Sequence, residues 1–265
     1  MEYTLLNTEI VGRVGVITLA DPPRNAFSKR MIREMLNVFD EFEQNDTVRC
    51  VMLKSTGEHF SQGAGGDDLK KFVAGEAEES NDPESYSVLG GRLVERIDLF
   101  PKPTLVAARG ICLGGSTAIF NAFDIRIVAE NFQMHDGDIY YGTVGSWGMS
   151  SLRLPMWIGR NKVLDYMFLN ENFTGRQCYE LGLASKVVPN ELVDKIGLEI
   201  ATKMATAAPI AVRYYKECVR KASAPNMADA RAFEVESANK VFETEDCRNG
   251  LAYLIQGKQA EFFGK

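Results

Sequence analysis

Histidine is scarce in this chain, with only His59 and His135 among 265 residues. A His-rich metal site is hard to assemble from two imidazoles, and a Ser-His-Asp triad has few candidates for its base. The five cysteines, Cys50, Cys112, Cys178, Cys218 and Cys247, are odd in number and widely spaced. They contain no C-x-x-C pair and have no neighbouring His at metal-ligand spacing, so they read as reduced thiols of a cytoplasmic protein. No run approaches the roughly 18 apolar residues of a membrane span. The N-terminus, with Glu2 and no long apolar stretch, reads as neither signal peptide nor anchor. Positive charge is also in deficit: 30 Lys and Arg face 36 Asp and Glu, a net −6. That balance opposes attraction to a nucleic-acid backbone. It leaves open a phosphorylated small molecule, which needs only a few local cations or backbone N–H groups.

What is present fits a soluble α/β protein. The chain is 45% hydrophobic and 25% charged, and at 265 residues it can bury a sizeable core. Residues 3–19 hold two apolar, β-branched runs separated by Gly12-Arg13, the pattern of a hairpin. Ser28 can cap a helix running to about Asn45, with Met31, Met35, Leu36, Val38, Phe39 and Phe42 at helical spacing. V-R-C-V-M-L-K-S then reads as a buried strand leading into the Gly-rich loop S-T-G-E-H-F-S-Q-G-A-G-G-D-D-L. The acidic stretch from Gly75 to Pro83 is the expected mobile loop, followed by a helix from about Glu84 to Leu99. Residues 101–130 read as strand, glycine turn, short apolar helix and strand. From Pro189 the periodicity is helical, with breaks near Ala208-Pro209 and Ala224-Pro225. The expected organisation is an α/β core over 1–189 and a helical region over 190–265.

Several segments carry a more specific signal. They are P-P-R-N-A-F-S at Pro22–Ser28, H-F-S-Q-G-A-G-G-D-D-L at His59–Leu69 and P-K-P-T-L-V-A-A-R-G-I-C-L-G-G-S at Pro101–Ser116. Further on come A-F-D-I-R-I-V-A-E at Ala122–Glu130, L-R-L-P at Leu152–Pro155, F-T-G-R-Q-C-Y-E-L-G-L-A-S-K-V-V-P at Phe173–Pro189 and the tail around Lys258–Phe262. In this order they resemble the enoyl-CoA hydratase/isomerase family, the crotonase superfamily. The resemblance implies a spiral of β-β-α units with two roughly perpendicular sheets. It also implies C-terminal helices that build a homotrimer, often paired into a hexamer. The implied substrate is an acyl-CoA thioester, coenzyme A arriving as part of the substrate and no separate cofactor being required.

Acyl-CoA chemistry of this kind passes through a thioester enolate, which needs donors aimed at the developing oxyanion. Gly114 and Gly115 follow a strand and open a helix, and by resemblance Gly115 supplies one N–H. The second comes from the loop after the earlier strand. That loop is two residues longer than the usual form, which leaves Ala64, the favoured choice, or Gly66. The hydratases of the family carry two glutamates. The first position aligns with Ala118 and the second with Asp138, so one carboxylate is missing and the other is shortened. Water addition is helped by two acid/base groups, whereas a double-bond shift needs one. Asp138 is the expected base, Asp136 its rival, and His135 a residue that can hold either. By resemblance Tyr140, Tyr141, Ser146 and Trp147 line the acyl pocket, with plain packing as the alternative for each. The coenzyme is expected at backbone groups around Ala26, with Arg24 and Lys258 as phosphate partners, Lys258 from a neighbouring subunit.

Double-bond isomerisation is thus the expected reaction. Beside it stand an atypical hydratase, hydrolase or decarboxylase acting on a bulky or cyclic acyl thioester, and a catalytically silent acyl-CoA binder. A serine hydrolase built on Ser116 lacks the G-x-S-x-G elbow such enzymes use.

Overall fold

The computed structural model describes residues 3–76, 82–223 and 227–258. The centre of the acidic stretch 75–83, residues 77–81, lies outside the described residues, as does the end of the tail segment beyond Lys258.

The chain opens with the hairpin its alternation implies: β1 (Leu6–Val11) and β2 (Val14–Leu19) pair antiparallel around Gly12 at φ +60°. The helix α1 (Lys29–Gln44) starts where Ser28 accepts a hydrogen bond from the Met31 N–H at 3.2 Å. It buries Met31, Ile32, Met35, Val38, Phe39 and Phe42. After β3 (Cys50–Ser55) and the Gly-rich loop come α2 (Gly66–Val73) and α3 (Tyr86–Asp98), the latter capped by Ser85.

The strand expected before the Gly114-Gly115 turn is two strands in two different sheets. β4 (Thr104–Ala108) joins the larger sheet and β5 (Ile111–Leu113) the smaller. The switch occurs at Arg109-Gly110, where Gly110 has φ +58° and a Cβ would collide with the Glu58 carbonyl. Beyond it lie α4 (Gly115–Ala122), β6 (Ile125–Ala129), β7 (Gln133–His135) and a 3-10 turn over Asp138–Tyr141. The helices α5 (Arg153–Ile158) and α6 (Arg160–Phe168) precede β8 (Phe173–Thr174), α7 (Gly175–Glu180) and β9 (Lys186–Val188). The rest is helical: α8 (Val193–Met204), α9 (Pro209–Ser223), α10 (Met227–Phe242) and α11 (Glu245–Ile255).

The larger sheet has six strands in the order β1-β2-β3-β4-β6-β9, parallel from β2 onward. Parallel strands covered on both faces read as continuous apolar runs, as V-R-C-V-M-L-K-S does. One face packs against α1, α3 and α4 through Ile17, Leu53, Val106, Phe39, Leu93 and Ile119. The other is covered by α8, where Val193, Ala201 and Ala205 meet Val16, Met52, Leu105 and Ile127. The smaller sheet, β5-β7-β8, carries the glycine turn at its edge, and α11 packs against α2 and the 3-10 turn.

Candidate active site

The small sheet ends at the glycine turn, and the Gly-rich loop docks on the same strand. β5 pairs parallel with β7, placing Leu113 opposite His135, and the Gly114 N–H donates to the His135 carbonyl at 2.9 Å. Gly114 then turns at φ 56°, ψ −129°, a conformation costly for any residue with a Cβ, and Gly115 opens α4. The first N–H groups of a helix have no intrahelical acceptor and lie at its positive end. From the other side the Gly-rich loop docks on β5: Ser61 receives the Leu113 N–H at 3.1 Å and donates its own to Ile111 at 3.1 Å. Gly63 presses so closely on this strand that a Cβ would lie 2.8 Å from the Leu113 carbonyl oxygen. The next residue, Ala64, bridges to Phe27. Among the described residues, no protein acceptor takes the N–H of Ala64 or of Gly115. Two fixed donors are left for a ligand oxygen.

The wall beside them is mostly apolar. Ala118, one turn along α4 from Gly115, is buried and presents a methyl group. The indole of Trp147 lies over Gly115, with a Cβ there falling 2.7 Å from Cζ3, and its other edge rests against Gly90 of α3. The Tyr86 ring packs on Trp147 at 5.2 Å between centroids, and its hydroxyl donates to the Phe27 carbonyl at 2.9 Å. Burial pushes the Tyr86 phenol well up, and the negative charges of Asp68 and Asp138 add to it. Asp138 opens the 3-10 turn half-buried, with Oδ2 packed on Gly145, where a Cβ would lie 3.2 Å away. Burial, with the Asp138 charge behind it, also pushes the Cys247 thiol of α11 up to about 12.

Asp136 sits deeper, only 4% exposed, and its Oδ2 accepts from the Ser150 hydroxyl. Burial raises its pKa, the Ser150 hydrogen bond opposing. On the far side of Ala64 a cleft of about 270 Å³ opens between Asp21, Arg24, Ala26, Ser28 and the Gly65–Asp68 stretch.

The sequence profile of enoyl-CoA hydratase/isomerase matches residues 9–265. The chain belongs to this family. It is 30% identical to a short-chain-enoyl-CoA hydratase of Clostridium acetobutylicum, over 99% of each chain. An enoyl-CoA hydratase/isomerase from Xanthobacter autotrophicus Py2 superposes with a TM-score of 0.84 at 25% identity, over 97% of each chain. A methylmalonyl-CoA decarboxylase superposes at 0.82 with 20% identity over the whole of both chains, a likeness of fold alone. The crotonase-type architecture expected from the sequence is therefore the fold of this chain.

Within this family member the expected site residues divide into two groups. Gly114, Gly115, Ala118 and Trp147 lie together at the start of α4, Ala64 follows Gly63 in the loop docked on β5, and Asp138 lies in the 3-10 turn packed on Gly145, two residues after the buried Asp136. Gly66, the alternative donor, is the first residue of α2 and lines the outer cleft with Arg24 and Ala26. Tyr140 is 39% exposed, and its hydroxyl donates to the Phe168 carbonyl at 2.5 Å. Tyr141 packs its ring edge over Gly137, and the His135 Nδ1 faces the Glu171 carbonyl at 3.4 Å. The Ser146 hydroxyl donates to Ser87 at 3.0 Å. Lys258, exposed just past α11, donates to Gln256 at 3.0 Å. Ser116 is fully buried, and its hydroxyl donates to the Leu113 carbonyl at 2.8 Å, which is no posture for a nucleophile. Sequence reasoning missed Tyr86, Ser87 and Cys247. The available signal was Gly90-Gly91 inside a helical pattern, since glycine there costs helix stability and calls for a packing or functional reason.

Proposed function

We propose that the chain acts on an acyl-CoA thioester, holds its carbonyl between the N–H groups of Ala64 and Gly115, and shifts an enoyl double bond with Asp138 as the single base. The observation that carries this reading is that the N–H groups of Ala64 and Gly115 have no protein acceptor among the described residues, while the position one turn along α4 holds the methyl of Ala118 in place of a carboxylate. The donors stabilise charge on the thioester oxygen as the enolate forms, an effect worth about 3–4 kcal/mol per donor in a preorganised site. Asp138 takes a proton from C2 of a 3-enoyl thioester and the electron pair moves into the enolate. The protonated Asp138 exchanges its proton with solvent and delivers one at C4 as the enolate collapses, giving the 2-enoyl product with no net change in composition.

The coenzyme occupies the cleft beside Gly65 and Gly66, with Arg24 and the backbone around Ala26 as its partners. It comes and goes with the substrate. Lys258 is assigned to the phosphates of a neighbouring subunit's ligand. The assembly is a homotrimer or a pair of trimers, supported by the apolar side chains that α9 leaves exposed: Ile210, Tyr214, Tyr215 and Val219.

The name of the Clostridium relative favours hydration as a second reading, in which Asp136 beside Asp138 supplies the second acid/base group. One experiment separates the two. Saturated, 2-enoyl and 3-enoyl CoA thioesters are incubated in D2O with wild type and Asp138→Asn and analysed by mass spectrometry. Conversion of 3-enoyl to 2-enoyl thioester with deuterium at carbon, falling about 10²-fold or more in Asp138→Asn, is the expected result. Retained activity in Asp138→Asn overturns it, and a product heavier by one water from the 2-enoyl thioester establishes hydration.

A further inference from the structure

Two glycines on different helices make a slot for one indole. A Cβ on Gly90 of α3 would fall inside the Trp147 ring system, and one on Gly115 of α4 would lie 2.7 Å from Cζ3. Neither glycine has a positive φ, so backbone conformation does not call for glycine at either place. What the missing side chains provide is room for the ring. Tyr86 packs on the same indole at 5.2 Å between centroids, and Trp147 is only 5% exposed. The loop that carries it is tied down on both flanks. Before it, the Ser146 hydroxyl donates to Ser87 at 3.0 Å and the Ser146 carbonyl accepts from Arg231. After it, Arg153 donates to the Gly148 carbonyl and pairs with Asp98 at 2.9 Å.

The direction of a bound thioester follows from the two sides of the donor pair. The coenzyme leaves toward the Arg24 and Ala26 cleft, which begins at Gly65, the residue after Ala64. On the acyl-thioester reading the acyl chain takes the other side of the donor pair, where Trp147 lies over Gly115. We infer that Trp147 is the floor of the acyl pocket, that it restricts the enzyme to short acyl chains, and that the Gly90–Gly115 slot between α3 and α4 is the space a longer chain would otherwise enter. This rests on the acyl-thioester reading above.

The test is isothermal titration calorimetry of butanoyl-, octanoyl- and dodecanoyl-CoA against the full-length wild type, Trp147→Ala and Trp147→Phe, each checked for native circular dichroism. Each methylene that finds an apolar site adds about fourfold in affinity. Wild type is expected to gain nothing from octanoyl or dodecanoyl over butanoyl. Trp147→Ala is expected to raise the octanoyl-to-butanoyl affinity ratio by about tenfold or more, with Trp147→Phe between them. If Trp147→Ala does not fold, the same comparison is made with Trp147→Phe. A ratio unchanged in the folded variants, or a wild type that tightens steadily with chain length, overturns the inference and leaves the acyl-thioester reading standing. A wild type that binds none of the three esters overturns both.

Discussion

Gly90→Ala should change the sign of its effect on stability depending on what stands at position 147. Glycine inside a helix is about 1 kcal/mol worse than alanine, so on an open face of α3 the substitution would stabilise. With Trp147 present the new Cβ falls inside the indole. The ring must then move away from Gly115 and Tyr86, and overpacking of this kind costs about 1–3 kcal/mol. The net effect in wild type is a loss of up to about 2 kcal/mol, from which alanine's helix preference has already been subtracted. Trp147→Ala alone costs about 3–5 kcal/mol for the cavity it leaves. In that background Gly90→Ala has nothing to strike and should stabilise by about 1 kcal/mol. The coupling between the two positions is therefore about 1–3 kcal/mol, well above the few tenths expected for independent sites. Thermal unfolding followed by circular dichroism reads it, at about 2–4 °C per kcal/mol for a chain near this size. Gly90→Ala that shifts the midpoint equally in both backgrounds would refute the slot.

Two further substitutions test other parts of the molecule. Gly115→Ala puts a Cβ 2.7 Å from Trp147 and displaces the donor turn. Turnover of enoyl-CoA should fall about 10²-fold or more while calorimetry still detects the ester, and unchanged turnover would exclude Gly115 as a donor. Glu34 of α1 holds the start of the chain. Burial pushes its carboxyl up, but the Leu5 N–H at 2.9 Å, the Thr4 hydroxyl and N–H, and Arg30 outweigh that and hold it below its ordinary 4.5. A carboxylate depressed by folding contributes stability above its unfolded pKa and loses it as pH falls through the folded value. Glu34→Gln should thus cost about 1–3 kcal/mol at neutral pH. The gap from wild type should narrow once the pH drops below 4.5, and a gap that stays constant in acid would count against the ionised Glu34 as the anchor.

The amino-acid order alone was enough to specify the hairpin around Gly12, the Ser28-capped α1 with its apolar stripe, and the mainly helical run after Pro189. Each depends on residues within a few positions of one another, so period, cap and turn chemistry suffice. The Gly114-Gly115 turn was legible in the same way, whereas the alignment of the family's two glutamate positions with Ala118 and Asp138 came from the family resemblance. The split of 104–113 into β4 and β5 was not, because it depends on Gly110 meeting the Glu58 carbonyl, a contact between segments about 50 residues apart. Nor was the reason for Gly90, whose partner Trp147 lies 57 positions further on. Nor could sequence order show that the Gly63-Ala64 loop docks on β5, that Tyr86 packs on Trp147, or that α11 covers the turn bearing Asp138. Side-chain periodicity records which face of an element is buried. It carries no record of what that face is buried against, and in this chain that is decided only when sheet, loop and helices close on one another.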